Sequence, residues 1–144
     1  MKNPPKPTQL ITKEFAKQLN ANYNKKKGTT LTTAKGVKKE DANAVWYSLE
    51  ALESYIHYIK TNGAQEGYNV DGIRFYFGVY PDDEKHGEKA GLTTLFLVPT
   101  GKKIEDNTAK VQSFALVAEP ASVDIQSLDP MNYGNIGRPP SLVY

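Results

Sequence analysis

Residues 81–89, PDDEKHGEK, concentrate side chains that could hold a metal ion. They are Asp82, Asp83, Glu84, His86 and Glu88. Clustered carboxylates suit Ca²⁺, and an imidazole beside a carboxylate suits Zn²⁺. The spacing nevertheless lacks the alternating acidic positions and the terminal glutamate of an EF-hand loop. Because most loop charges are simply solvated, we predict a charged turn that binds no metal.

A second pair with metal-ligand spacing is Glu53 and His57, four residues apart. On a helix this spacing lets two side chains share one ion. However, HExxH is absent and the sequence specifies no third ligand. The alternative is an exposed helix face on which such pairs contribute about 0.2–0.5 kcal/mol each. We adopt that alternative and predict no metal.

Arg74, Tyr76 and Tyr80 fall on alternate positions of DGIRFYFGVY (71–80), so they project from one face of a strand. An arginine flanked by tyrosines can bind an anion or stack on a base. It can equally stack on its own tyrosines, or pair with a carboxylate of a helix. These three residues and His57 form the candidate ligand-binding set of the chain.

Motifs of the common enzyme classes are absent from the sequence. There is no GxSxG, no P-loop and no GxGxxG after a strand, and neither histidine sits beside a candidate nucleophile. The chain contains no cysteine, which excludes disulfides, thiolate zinc sites and cysteine nucleophiles. The sequence does not exclude catalysis by carboxylates that the fold brings together. We predict no catalytic residue and no cofactor.

Charge is unevenly distributed along the chain. Residues 1–39 carry ten lysines and one acidic residue, a net charge of +9, whereas residues 40–144 carry 8 basic and 15 acidic residues, a net charge of −7. Lysines can follow a phosphate backbone, but this arm has no arginine to read bases. The alternative is attraction to the chain's own acidic part. We predict no specific nucleic-acid binding.

The basic arm also contains a helical pattern. Its apolar residues recur every four positions, at Ile11, Phe15, Leu19 and Tyr23. This predicts a helix from about Thr12, as N-cap, to Lys26, with Gly28 ending it. Apolar side chains on one face of a helix must pack against a surface that excludes water. We therefore expect the helix to dock on the domain or on the same face of a second copy.

A second helix is predicted from Ser48, as N-cap, to about Thr61, with Asn62-Gly63 ending it. Its apolar arc consists of Leu49, Leu52, Tyr55, Ile56 and Ile59. This arc is expected to pack on a sheet, so that Ile56→Asp would unfold the domain.

Three runs indicate strands. Residues 73–79 alternate apolar and mixed positions, and Leu92 to Val98 is apolar on both faces, as in a central strand that Pro99 would end. Val111 to Ala118 is the third run, and residues 28–41 are a loop or weak edge strand. Because residues 81–91 lack a helical pattern, the first two strands should form a hairpin. We predict an α+β fold: a small antiparallel sheet of three to four strands, one amphipathic helix packed on it, and an N-terminal helix.

The predicted organisation has three parts: residues 1–39 as a basic arm with its helix, 40–119 as the α+β core, and 120–144 as a Pro-, Gly- and Asn-rich tail packed on or near the core. No run approaches the roughly 20 apolar residues of a membrane span, and the first residues do not resemble a signal peptide. We expect a cytoplasmic protein without a membrane partner.

Four stretches together resemble a family of small uncharacterised Bacteroidota proteins with no assigned activity. They are VWYSLEALESYI (45–56), DGIRFYFGVY (71–80), TTLFLVPT (93–100) and MNYGNIGRPP (131–140). The resemblance covers about residues 44–140 and implies a shared domain and lineage. It draws attention to Arg74 and Gly78. The family's tail places cysteines around its Pro-Pro pair, where this chain has Gly137, Arg138 and Ser141, which argues against a metal or redox role of the tail.

The sequence thus favours a non-enzymatic binding or protein-interaction module whose partner is another protein or a second copy of the chain. The alternative is a protein or enzyme that binds a small anionic ligand on the face of Arg74, Tyr76 and Tyr80.

Overall fold

The computed structural model describes residues 3–28, 30–33, 35–104, 121–138, 142 and 144. The elements in chain order are α1 (Lys13–Lys27), β1 (Thr30–Thr32), β2 (Lys38–Glu40), β3 (Ala44–Trp46), α2 (Leu49–Gln65), β4 (Tyr68–Val79), a 3₁₀ helix (Glu84–Lys89), β5 (Thr93–Lys103), β6 (Val123–Asp124) and β7 (Asn135–Gly137). Helices and small antiparallel sheets confirm the predicted α+β class. The third predicted strand, Val111 to Ala118, lies outside the described residues.

The chain forms two compact units, each built from separate segments. The sheet unit comprises Val45–Val79 and Thr94–Asn135, and the arm unit comprises Met1–Ala44, Tyr80–Thr93 and Ile136–Tyr144. The arm unit has 13 basic and 7 acidic residues, a net charge of +6, and the sheet unit has 5 basic and 9 acidic residues, a net charge of −4. β3 and β7 form a two-stranded sheet.

The sheet unit contains a three-stranded sheet in the order β4-β5-β6. A Cβ on Gly72 of β4 would contact Thr100 of β5, whereas one on Gly78 would contact Phe96 and Thr94. Later residues of β4 thus lie beside earlier residues of β5, so the two strands run in opposite directions. β5 and β6 are also antiparallel, with Thr100 opposite Asp124. β5 is therefore the central strand, as its apolar faces predicted.

The core of the sheet unit lies between α2 and the sheet. Its buried members are Tyr55, Ile59, Leu97, Ile125 and Leu128, and the side chains packed against them are Tyr47, Leu52, Tyr58, Tyr68, Val70, Ile73 and Met131. Each fully buried apolar side chain contributes about 1.5–3 kcal/mol to folding. The tail thus supplies core residues that its Pro- and Asn-rich composition did not predict.

α2 begins as predicted, because the Ser48 hydroxyl accepts a hydrogen bond from the amide of Ala51 at 2.9 Å. Two members of the predicted apolar arc nevertheless lie outside the core: Leu49 is 77% exposed and Ile56 39% exposed. Only Tyr55 and Ile59 of the arc are fully buried. The helix also continues to Gln65, since Gly63 is a buried packing position and not a stop signal.

Pro99 does not end β5, which continues to Lys103. The Pro99 carbonyl accepts a hydrogen bond from the amide of Ile125 at 2.9 Å. Backbone N and C=O groups of one strand residue point to the same side, so the nitrogen of Pro99 also faces β6. β6 ends at Asp124. Proline has no N–H to donate, but at this position β6 has already ended, so no strand hydrogen bond is lost. Proline is therefore tolerated in this central strand.

In the arm unit, α1 has the predicted N-cap, since Thr12 Oγ1 accepts from the amide of Phe15 at 3.1 Å. No residue of α1 is fully buried, and three of the four stripe residues, Ile11, Phe15 and Leu19, are about half exposed. The more covered positions of α1 are Ala16, Asn20, Tyr23 and Asn24, of which only Tyr23 belongs to the predicted stripe. Docking of the predicted stripe within this chain is therefore partial.

The rest of the arm unit is built on a short hairpin. β1 and β2 are antiparallel, with Leu31 opposite Lys39, in a region where a loop or weak strand was expected. A small core of Ala42, Tyr80 and Leu92 packs with Leu31 and Ile136. Residues 84–89, expected to lack helical structure, form the 3₁₀ helix, which kinks at Gly87.

Candidate functional site

Three large apolar side chains stand exposed on β4. Phe75 is 56% exposed, Phe77 78% and Val79 65%, and we call these three residues the β4 strip. Alternation along a strand places them on one face of the sheet. Ile73 shares that face and packs in the core. The strip therefore continues the face of Ile73 beyond the part that packs on the core.

The strip also lies on an edge. β4 is the outer strand in the order β4-β5-β6, and within the described ranges no strand pairs with its other side. The amide of Tyr80, the residue after β4, bonds the carbonyl of Leu92 at 3.0 Å. Backbone groups of alternate strand residues point to opposite sides. The N–H and C=O groups of Phe75, Phe77 and Val79 therefore point away from β5.

Exposed sheet edges are usually protected by lysine, proline, a bulge or a covering segment. The stretch Phe75-Tyr76-Phe77-Gly78-Val79 contains neither lysine nor proline, and it carries no charge. An uncharged, aromatic-rich edge of this kind readily pairs with another strand. The β4 strip thus combines exposed apolar side chains with outward-facing backbone groups that no strand among the described residues pairs with.

The opposite face of β4 carries a closed polar cluster. Arg74 donates to Asp124 Oδ1 at 2.6 Å, and the Tyr76 hydroxyl donates to Asp124 Oδ2. The Tyr76 ring stacks on Phe96, with centroids 5.2 Å apart and planes 9° from parallel. The hydrogen bond with Tyr76 and the charge of Asp124 raise the pKa of Arg74 above its ordinary value. The guanidinium is therefore already paired with an anion.

A second carboxylate on the sheet is satisfied in the same way. Asp71 Oδ1 accepts hydrogen bonds from the hydroxyls of Thr100, at 2.7 Å, and Ser122, at 2.9 Å. These bonds lower the pKa of Asp71. The carboxylate stays ionised and internally bonded, so it is a poor candidate for a general acid.

The predicted ligand-binding set is only partly assembled. Arg74 and Tyr76 meet through Asp124, a partner 50 residues away along the chain that the sequence did not indicate. Tyr80 is buried in the core of the arm unit, and its ring lies 5.8 Å from that of His86. His57 is exposed on α2. The structure shows no site that joins His57 with Arg74 and Tyr76.

The arm unit contains a cluster that we call the clasp, formed by the partly exposed Lys27, the mostly covered carboxylate of Asp41 and the buried Thr93. Asp41 accepts hydrogen bonds from the amide and the hydroxyl of Thr93, both at 2.7 Å, and from the amide of Ala42 at 2.7 Å. Lys27 Nζ lies 3.3 Å from Asp41 and donates to the Thr93 hydroxyl. The clasp joins the end of α1 to the start of β5.

A lysine beside a threonine hydroxyl suggests base-assisted nucleophilic chemistry, which requires an unprotonated amine. Burial acts to lower the pKa of Lys27, but contacts with Tyr23 and Asp41 raise it above its usual value. Burial acts to raise the pKa of Asp41, but bonds from Thr93 and Ala42 hold it below its usual range. Both groups stay charged at neutral pH, so the clasp is an ion pair and not a catalytic dyad.

The loop at 81–89 lines a groove of about 420 Å³ together with the β1–β2 hairpin. Lys35 pairs with Glu84 at 2.9 Å across it, and Lys39 donates to the carbonyl of Glu88 at 3.0 Å. Asp83 caps the 3₁₀ helix and contacts His86 Nδ1 at 2.6 Å. Lysines and carboxylates neutralise one another here. In the described portion of the chain, no three His, Asp or Glu side chains are grouped to hold a metal ion.

No protein family model, curated protein or solved structure matches this chain significantly. Among the described helices, none has the length and apolar character needed to cross a membrane.

Proposed function

We propose that this chain is a non-enzymatic protein-interaction module that binds its partner along the β4 strip. One observation carries the proposal: Phe75, Phe77 and Val79 are exposed side by side on an edge strand. Strand addition to an open edge is a recurring mode of protein recognition, in which backbone hydrogen bonds supply affinity and alternate side chains supply specificity.

The energetic argument rests on apolar area. Burying an exposed phenylalanine or valine contributes about 1.5–3 kcal/mol when it is complete, and aromatic residues dominate binding at interfaces. Two of the three strip residues are phenylalanine. Coverage of the strip by a partner strand would remove this surface from water and form hydrogen bonds with the outward-facing backbone amides at the same time.

The polar clusters support a binding role over catalysis. Arg74 is paired with Asp124, Asp71 with Thr100 and Ser122, and Lys27 with Asp41. A small anion would have to displace Asp124 from Arg74 before it could bind there. The anionic-ligand alternative is therefore less well supported than the β4 strip.

The test compares the wild-type protein with the double variant Phe75→Ser/Phe77→Ser. Both side chains are exposed, so the variant should keep its circular dichroism spectrum and nearly its full melting temperature. We expect it to lose self-association in sedimentation velocity, or capture of a binding protein from the native host. Val37→Ser, an exposed apolar residue of the arm unit, is the matched control and should keep both. A folded double variant that retains every association of the wild type would contradict the proposal.

A further inference from the structure

We infer that the partner of the β4 strip is the β4 of a second copy, paired antiparallel about a two-fold axis at Phe77. This inference rests on the proposed interaction function and names its partner. The two three-stranded sheets would join into one continuous sheet across the axis. Such an interface is isologous, because the same surface is used by both copies.

The strip is complementary to itself in this register. An axis at Phe77 places Phe77 opposite its own copy, and Phe75 opposite Val79 of the second copy. Each strip residue thus meets another strip residue, and the outward amides of one strand face the outward carbonyls of the other. On the other face Tyr76 lies opposite Gly78 of the second copy, which has no side chain to clash with it.

Charge also permits self-pairing. The five paired residues, 75–79, are uncharged, so the two strands bring no like charges together. Arg74 is the nearest charged residue in the strand, and its charge is compensated by Asp124 of the same chain. In the proposed register Arg74 faces position 80 of the second copy, beyond the end of β4, and the two arginines do not meet.

The area available indicates a small interface. Buried aromatic side chains each remove about 150–250 Å² of surface. With exposures of 56% and 78%, the two phenylalanines would contribute about 200–350 Å² per copy. A stable interface buries about 800 Å² per partner, and the edge backbone and Val79 supply only part of the remainder. The dimer should therefore dissociate on dilution.

The absence of cysteine makes the register directly testable. Residues opposite each other in antiparallel strands have Cα atoms about 4.5–5.5 Å apart, within the range of a disulfide. Phe77→Cys should therefore form a covalent dimer under mild oxidation. Phe75→Cys should not, because the two copies of position 75 would lie about four strand residues apart, roughly 13 Å. The double variant Phe75→Cys/Val79→Cys should cross-link again.

Phe77→Lys provides a non-covalent test, since it would place two charges together at the axis. We expect a concentration-dependent dimer in sedimentation equilibrium of the wild type and of Val37→Lys, and a monomer for Phe77→Lys with an unchanged circular dichroism spectrum. Together with the cross-linking pattern of the cysteine variants, this result would support the inference.

Three results would overturn it. A wild-type protein that is monomeric at every concentration would exclude the second copy as partner. If that monomer still captured another protein through Phe75 and Phe77, the interaction module would stand and only the choice of partner would be wrong. A dimer that survives Phe77→Lys, or equal cross-linking of Phe75→Cys and Phe77→Cys, would place the interface elsewhere or in another register.

Discussion

The Cγ2 methyl of Val70 packs against Gly63 so closely that a Cβ at position 63 would clash with it. Leu128 and Ile125 lie behind the same position, at 3.7 and 3.9 Å from such a Cβ. Because Gly63 has no side chain, the last part of α2 can approach β4 closely.

Gly63→Ala is expected to destabilise the protein by about 1–3 kcal/mol, although alanine is the better helix former, because overpacking outweighs propensity. Urea denaturation measures the change. Thr61→Ala, at an exposed position of the same helix, should change stability by only a few tenths of a kcal/mol. Combining Gly63→Ala with Val70→Ala should recover part of the loss, and a fully additive double variant would argue against the clash.

The buried arc of α2 is tested by two isoleucines three residues apart. Ile59 is 2% exposed, so Ile59→Ala should cost about 2–5 kcal/mol. Ile56 is partly exposed, and Ile56→Ala should cost clearly less. Thermal unfolding of the two variants compares them directly, and equal losses would mean that the helix is rotated from the orientation described here.

Asp41 should make stability sensitive to acid. Its pKa is below the ordinary 3.8, so its contribution is complete above that pH and is lost as the pH falls through the lower, folded-state pKa. Asp41→Asn should lower the free energy of unfolding at pH 7 by about 1–3 kcal/mol, and the difference from wild type should shrink near pH 3. Urea titrations at both pH values measure this. Glu53→Gln, which removes an exposed carboxylate, should show no such pH-dependent loss.

Tyr55 should make stability sensitive to alkali. Burial and the neighbouring Tyr58 raise its pKa to about 12, and its hydroxyl bonds the carbonyls of Leu97 at 3.1 Å and Asp129 at 3.0 Å. Because the folded-state pKa is raised, the stabilisation is present below pH 10 and is lost between about 10 and 12.

Tyr55→Phe should cost about 1–2 kcal/mol at neutral pH, through the lost hydrogen bonds, and should reduce the loss of stability in alkali. Ultraviolet titration of tyrosine ionisation should show one late-ionising tyrosine fewer in the variant. An unchanged alkaline titration would contradict the assignment.

Local signals in the sequence correctly predicted where the two helices begin and where β4 lies. The hydroxyls of Thr12 and Ser48 marked both helix starts, and alternation marked β4, because capping and strand patterns depend only on near neighbours. Ile125 and Leu128 could not be predicted as core, since isolated apolar residues in a Pro- and Asn-rich tail carry no periodicity.

The exposed apolar face of β4 was not predicted as a candidate site. Alternation distinguishes the two faces of β4 but does not tell how far a helix will cover either of them. It therefore could not show that Phe77 stays exposed while Ile73 packs against the core. The sequence also could not identify Asp124 as the partner of Arg74, because Asp124 comes close to it only through the pairing of β6 with β5.

The segmented arm unit has a consequence for the order of folding. Its three segments, Met1–Ala44, Tyr80–Thr93 and Ile136–Tyr144, are separated along the chain by 35 and 42 residues. Contacts between residues so far apart in sequence close long loops, and folding slows as the mean sequence separation of contacts rises. We therefore expect the contacts among these three segments to form late in folding.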